Sequence, residues 1–155
     1  MVLLGCGGES PSTTTDAPEE VFGPHEISNF GFDFAQAVRE KNFPHLFDCV
    51  SNGKIQDDLI KDYNLIDMER HAVHTGFHGE FRIPRSITDF ISEDGTFHYL
   101  GHRQANGQDI LRFRSYQNFM IDIIDLELDI SGERIVVVGG YSYLLDKSYT
   151  QYVKE

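Results

Sequence analysis

Tryptophan is missing from the 155 residues, cysteine occurs twice, and 13 basic residues stand against 25 acidic ones. Each scarcity excludes something. Without tryptophan, the aromatic bulk of a core must come from the 12 phenylalanines and 7 tyrosines. The two cysteines, Cys6 and Cys49, sit in unlike settings, one in a small polar leader and one in the apolar stretch HLFDCV, so no disulfide framework is expected. Cys49 reads as a buried, inert thiol. The formal net charge of −12 argues against nucleic acid as a partner and against docking on anionic lipid through a basic face. No apolar run approaches the ~18 residues of a membrane-spanning helix. Also missing are a GxSxG elbow, a glycine-rich phosphate loop, a CxxC pair, an EF-hand loop and any internal repeat.

The length suits one domain with a single moderate core. Ahead of it, Leu3-Leu4-Gly5-Cys6 resembles the lipobox of bacterial lipoproteins. That resemblance implies acylation of Cys6 and a lipid-anchored place in the bacterial cell envelope, with the apolar signal such a cysteine needs lying upstream of Met1; otherwise the expected place is the cytoplasm. Residues 1–6 are then a signal remnant. Residues 7–27, rich in Gly, Ser, Thr, Pro and acid, form a polar tether too poor in apolar surface to offset its ordering entropy. The domain itself is expected over 28–155.

Its first half reads as helices. Pro24 and Ser28-Asn29 mark the entry, with Ser28 as N-cap, and Phe30, Phe34, Ala37, Val38 and the Lys41 stem recur at helical spacing until Lys41-Asn42. Pro44 opens a short second helix with Leu46, Phe47 and Val50 inward, and Ser51-Asn52-Gly53 stops it. A third helix is predicted from about Gln56 to His74, with Leu59, Tyr63, Ile66, Arg70 and Val73 along one side. Ile60, Leu65 and Met68 widen its apolar sector, and Gly76 and Gly79 oppose its extension. A fourth is predicted over Pro84 to Ile91.

The second half reads as strands: TFHYLGHRQ, DILRFRS, FMIDIIDLELD and ERIVVVGGYSYLL, rich in β-branched and aromatic residues. Ala105-Asn106-Gly107, Gln117-Asn118 and Ile130-Ser131-Gly132 have hairpin length and turn chemistry. In the third strand Met120, Asp122, Ile124, Leu126 and Leu128 share one face; Ile121, Ile123, Asp125 and Glu127 share the other. In the fourth, Ile135, Val137, Gly139, Tyr141 and Tyr143 are predicted to share a face, and Gly139-Gly140 to bend the strand. Helices followed by four antiparallel strands make an α+β plan, with the N-terminal helices packed on a curved four-stranded antiparallel sheet.

This order, together with FHYLGHRQANGQDILRF and MIDIIDLELDISGERIVVVGGYSYL, resembles the NTF2-like (cystatin-like, SnoaL-like) cone fold and an uncharacterised bacterial group within it. The likeness covers roughly residues 28–155. It matches Asp125 to a strand aspartate and Tyr141 and Tyr143 to closing tyrosines, while Val138 to Gly140 depart from the V-D that precedes those tyrosines in the group. Enzymes of this superfamily place an aspartate and tyrosines inside the cone, where burial raises the carboxyl pKa and a phenol stabilises an oxyanion. Asp122, Asp125, Tyr99, Tyr141 and Tyr143 are therefore the cavity candidates, and either Asp122 or Asp125 faces inward. The plainer reading pairs the acid with Arg112 or Arg114 across the sheet and packs the tyrosines.

His71, His74 and His78 would share one face of an unbroken helix at spacings that could hold a metal ion. No HExxH relation accompanies them, so they read as surface or helix-end histidines and no metal or cofactor is expected. The leading functional expectation is a non-enzymatic envelope lipoprotein that binds a small ligand or a protein partner and meets the membrane only through Cys6. The alternative is a small acid–base isomerase, cyclase or hydrolase. A third is an assembly module, a homodimer through the exposed sheet face.

Overall fold

Proline and a glutamate set the first element. Pro24 occupies the first helical position, where its missing N–H costs nothing, and the Gly23 amide donates to Glu26 Oε2 at 3.1 Å. Helix α1 (Pro24–Arg39) therefore starts one turn ahead of Ser28, which is not its cap. Ile27 is in the core and Phe22 packs against it, so the fold takes in the last residues of the expected tether. The computed structural model describes residues 22–80, 96–117 and 119–153, with side chains at all of these except 73, 74, 76–80, 117, 152 and 153. Cys6, the leader and the expected fourth helix lie outside the described residues.

Lys41, at φ 55°, turns the chain out of α1, and the Asn42 side chain accepts from the His45 amide to cap α2 (Phe43–Asp48). Leu46 and Val50 are buried as expected, but Phe47 is exposed. In so short a helix Leu46 takes the inward position, and Val50 leaves the helix to form a parallel bridge with Val137. Ser51-Asn52-Gly53, expected as a stop, instead opens α3 (Asn52–Ile60), which buries Ile55, Gln56, Leu59 and Ile60.

The single helix expected over 56–74 is two. After α3 the chain turns, and α4 (Asp67–Glu80) follows. Local bonds hold the break: the Ile66 amide donates to Glu69 Oε2 at 3.0 Å, and Arg70 Nε to the Leu65 carbonyl at 3.3 Å. Glu69 thereby satisfies an otherwise orphaned donor at the start of α4. Tyr63, Ile66 and Met68, expected to point inward, are exposed as a result. Gly76 and Gly79 do not end α4.

Five strands follow in spatial order β1-β2-β3-β4-β5, all antiparallel. They are β1 (Thr96–Ala105), β2 (Gln108–Gln117), β3 (Met120–Asp129), β4 (Val136–Ser142) and the two-residue β5 (Lys147–Ser148). Asn106 and Gly107 both have positive φ, as a two-residue type I′ hairpin demands. The short β5 and the terminal helix α5 (Tyr149–Val153) were not predicted. One face of the sheet carries the core. Phe97 and Phe113 stack at 4.7 Å, and Phe34 from α1 meets Phe113 at 5.8 Å. The fold is thus α+β, helices packed on one face of a curved antiparallel sheet.

Two bulges curve it. Tyr99 and Gly101 oppose adjacent residues of β2, leaving Leu100 extra. Val137 and Gly139 oppose Leu128 and Glu127, leaving Val138 extra. The second bulge sits beside the predicted glycine bend and reverses the face of every later residue in β4.

Candidate functional site

That reversal decides where the site candidates go. Val137 faces the core opposite Leu128, but beyond the bulge Gly140 and Ser142 face the core and Tyr141 lies opposite Asp125 on the other side. Tyr141 and Tyr143 therefore do not share a face with Val137, although Tyr141 is among the residues that border the cavity described below.

Asp125 also points to this outer face, yet it is 5% exposed, because side chains close over it. Arg112 grips it with two bonds, Nε to Oδ1 and Nη2 to Oδ2, both 2.7 Å. Arg103 Nη2 adds a bond at 2.9 Å and the Tyr143 hydroxyl one at 3.0 Å. Burial pushes the carboxyl pKa up, but the hydrogen bonds from Arg112, Arg103 and Tyr143 outweigh it and hold it below the ordinary carboxylate range. The same bond keeps the Arg112 guanidinium more firmly protonated. Nearby, the Tyr141 hydroxyl donates to Asp146, which raises the phenol pKa. A carboxylate so saturated is a structural anchor and a poor proton acceptor, as the pairing with Arg112 predicted.

Asp122 is the inward acid. It shares the core face with Phe97, Ser115 and Ser142. Its oxygens accept from Ser142 Oγ at 2.6 Å and from the Leu144 amide at 2.9 Å, so it ties the β4–β5 turn to β3. Tyr99 lies inside as well, with its ring against Phe32 at 4.8 Å and Phe113 at 5.6 Å. Its buried hydroxyl finds no hydrogen-bond partner among the described residues. Inside the cone, among the described residues, no carboxylate meets a phenol.

Of the three histidines on α4, His71 is exposed, and the side chains of His74 and His78 lie outside those described. Among the described residues no group of three histidine, cysteine or acidic side chains could hold a metal ion. A polar pair that sequence reasoning passed over is His102 with Asp109, Nε2 to Oδ1 at 2.6 Å, joined by Gln104 Nε2 at 3.1 Å. The Asn-Gly turn was the available signal: its register sets Gln104 opposite Asp109, with His102 two residues away on the same face.

The remaining feature is a cavity of about 50 Å³ between the sheet, α3 and the start of α5. Ile55, Phe97, Ile124, Leu126 and Val137 line it from the core, and Tyr141, Leu145, Lys147 and Ser148 bring the β4–β5 region to it. Leu145 is partly exposed, so the opening lies at the β4–β5 turn. Such a lining suits hydrocarbon.

A solved phospholipid-binding protein from Ralstonia solanacearum, determined in complex with a phospholipid, is similar to 83% of this chain over 78% of its own, with a TM-score of 0.50 and 11% sequence identity. The likeness is one of fold. No family model and no curated protein matches the chain. The neighbour's helices and sheet fit the cone-like α+β arrangement described here, at an identity too low to carry a residue from one chain to the other.

Proposed function

We propose that this protein is a non-enzymatic binder of a lipid-class small molecule, built on an NTF2-like cone and carried in the bacterial envelope by a lipid at Cys6. The observation that carries the reading is the cavity, whose lining surface is almost wholly apolar. The phospholipid in the Ralstonia solanacearum neighbour supports it. About 50 Å³ is far below the ~300–1,000 Å³ of an occupied small-molecule site. Ligand entry must therefore part the sheet from its cover, and the smallest elements, β5 and α5, stand at the opening.

The test is organic extraction of the purified full chain with mass spectrometry, followed by titration with a fluorescent fatty acid. Retained lipid and saturable binding are expected, and Ile124→Trp, which fills the inner wall, should weaken binding at least tenfold while the chain stays folded by circular dichroism. Absence of both retained lipid and saturable binding would refute the proposal.

A further inference from the structure

Half of the exposed large hydrophobic side chains described, seven of fourteen, gather at one end of the sheet. Tyr116, Phe119, Met120 and Ile121 belong to the β2–β3 hairpin; Tyr143, Leu144 and Leu145 belong to the β4–β5 turn. The two turns are joined, since the Tyr143 amide donates to the Ile123 carbonyl at 3.0 Å and the Leu144 amide to Asp122. At the summit stands Phe119, 94% exposed. It has φ 64°, a left-handed conformation that favours glycine or asparagine and disfavours a bulky ring. A contiguous apolar group of this kind marks an interaction surface, whereas isolated exposed hydrophobics mark nothing.

We propose that these two turns form a tip that inserts into the interfacial layer of a lipid bilayer, seating the cavity mouth at the membrane surface. This rests on the lipid-binding reading for what passes through the mouth. Three observations select a bilayer over other partners. Leu145 belongs both to the tip and to the cavity lining, so the tip borders the cavity directly. The carboxylates nearest the tip, Asp122 in β3 and Asp146 in the β4–β5 turn, are held back against their own strands, by Ser142 and Leu144 and by Tyr141 respectively, so neither points from the summit. Cationic Arg114, exposed on the strand behind Tyr116, and Lys147 in β5 stand back from the summit, on the headgroup side when the ring is buried. Binding is then driven by apolar burial with little dependence on salt.

The test is flotation with phosphatidylcholine vesicles of the full chain carrying Cys6→Ser, which leaves no cysteine to acylate there; this chain is the wild-type reference, and Phe119→Asn and Phe47→Asn are made in it. Asparagine suits the left-handed position, so the hairpin survives Phe119→Asn. Phe47 is an exposed phenylalanine on α2, near the opposite end of β4, and serves as control. Wild type and Phe47→Asn are expected to float alike at low and high salt, and Phe119→Asn about tenfold less, the scale of one buried aromatic side chain. Uptake of a fluorescent fatty acid from solution, in the same three proteins, should be unchanged. Flotation of Phe119→Asn at the wild-type level overturns the proposal. So does wild type that takes up the fatty acid but does not float, or a Phe119→Asn chain that loses uptake together with flotation. A wild-type dimer that Phe119→Asn disperses also overturns it, by making the tip an interface between copies. Wild type that floats through Phe119 yet takes up no fatty acid leaves the tip standing and removes the lipid-binding reading.

Discussion

Gly31 in α1 faces Tyr99, and a methyl group there has no room. A Cβ at this position would lie 2.5 Å from Tyr99 Cε2, 2.8 Å from Cδ2 and 2.9 Å from Cζ. Carbon contacts settle at about 3.5–4.0 Å, so the ring must move by roughly 1 Å, and Phe32 and Phe113 stand against it. Overpacking of this kind costs about 1–3 kcal/mol. Alanine is otherwise better than glycine inside a helix by about 1 kcal/mol. Gly31→Ala alone is therefore expected to destabilise by about 0–2 kcal/mol. In a Tyr99→Leu background the same change should stabilise by about 1 kcal/mol, since most of the obstructing ring is gone. The coupling between the two, about 1–3 kcal/mol, is the sharp quantity, read from urea unfolding followed by circular dichroism across the four proteins. A coupling within about 0.5 kcal/mol of zero would refute the packing argument. It would also return Tyr99 to the pool of side chains free to serve a ligand.

Two further outcomes follow from buried groups. Asp125→Asn should destabilise the protein at neutral pH by about 1–3 kcal/mol, less than a fully buried pair because the two guanidiniums remain partly exposed. The Asp125 pKa is lowered on folding, so its contribution is present above the unfolded carboxyl value and is lost as pH falls through the folded one. Urea unfolding as a function of pH should therefore show wild type losing stability below about pH 4 more steeply than Asp125→Asn; parallel curves would contradict the assignment. Cys49, whose thiol burial pushes from 9.0 to about 11 with the Asp48 and Asp33 carboxylates adding to it, should carry about 100-fold less thiolate than an ordinary cysteine near neutral pH. In a Cys6→Ser chain its alkylation should be slower still than that factor implies and should accelerate on unfolding; rapid labelling of folded protein would show that Cys49 is not buried.

The sheet was legible in the sequence because alternation and turn chemistry are local signals. Asn106-Gly107 sets the register of β1 on β2, and the short link from Gln117 to Met120 sets that of β2 on β3, which places Arg112 opposite Asp125. The helices were read less well, for a physical reason. The apolar stripe through Tyr63, Ile66 and Met68 has the right period for a continuous helix, but a single side-chain cap from Glu69 to the Ile66 amide lets the chain turn instead. Periodicity reports which residues could share a face and is silent on whether a tertiary surface waits to cover them. Within the site, the plainer reading offered Arg112 or Arg114 to whichever acid faced outward, and Asp125 with Arg112 is the pair that forms; the apolar cavity was invisible. Its walls come from α3, β1, β3, β4 and the first turn of α5, and no short stretch of sequence announces such an enclosure. The strand faces of Tyr141 and Tyr143 were misplaced by one residue of counting, at the bulge, although Tyr141 still borders the cavity.

That residue, Val138, has a consequence for how chains of this kind are compared. Side chains alternate strictly along a strand, so one inserted residue exchanges inside for outside at every later position. Two sequences that differ by a deletion here would align with their closing tyrosines in register, and identical letters would stand on opposite sides of the wall. In the chain with Val138, Tyr143 braces Asp125 from outside; in a chain without it, the same tyrosines would line the interior. Ancestry could thus conserve the motif while a single codon gained or lost converts a scaffold tyrosine into a pocket tyrosine.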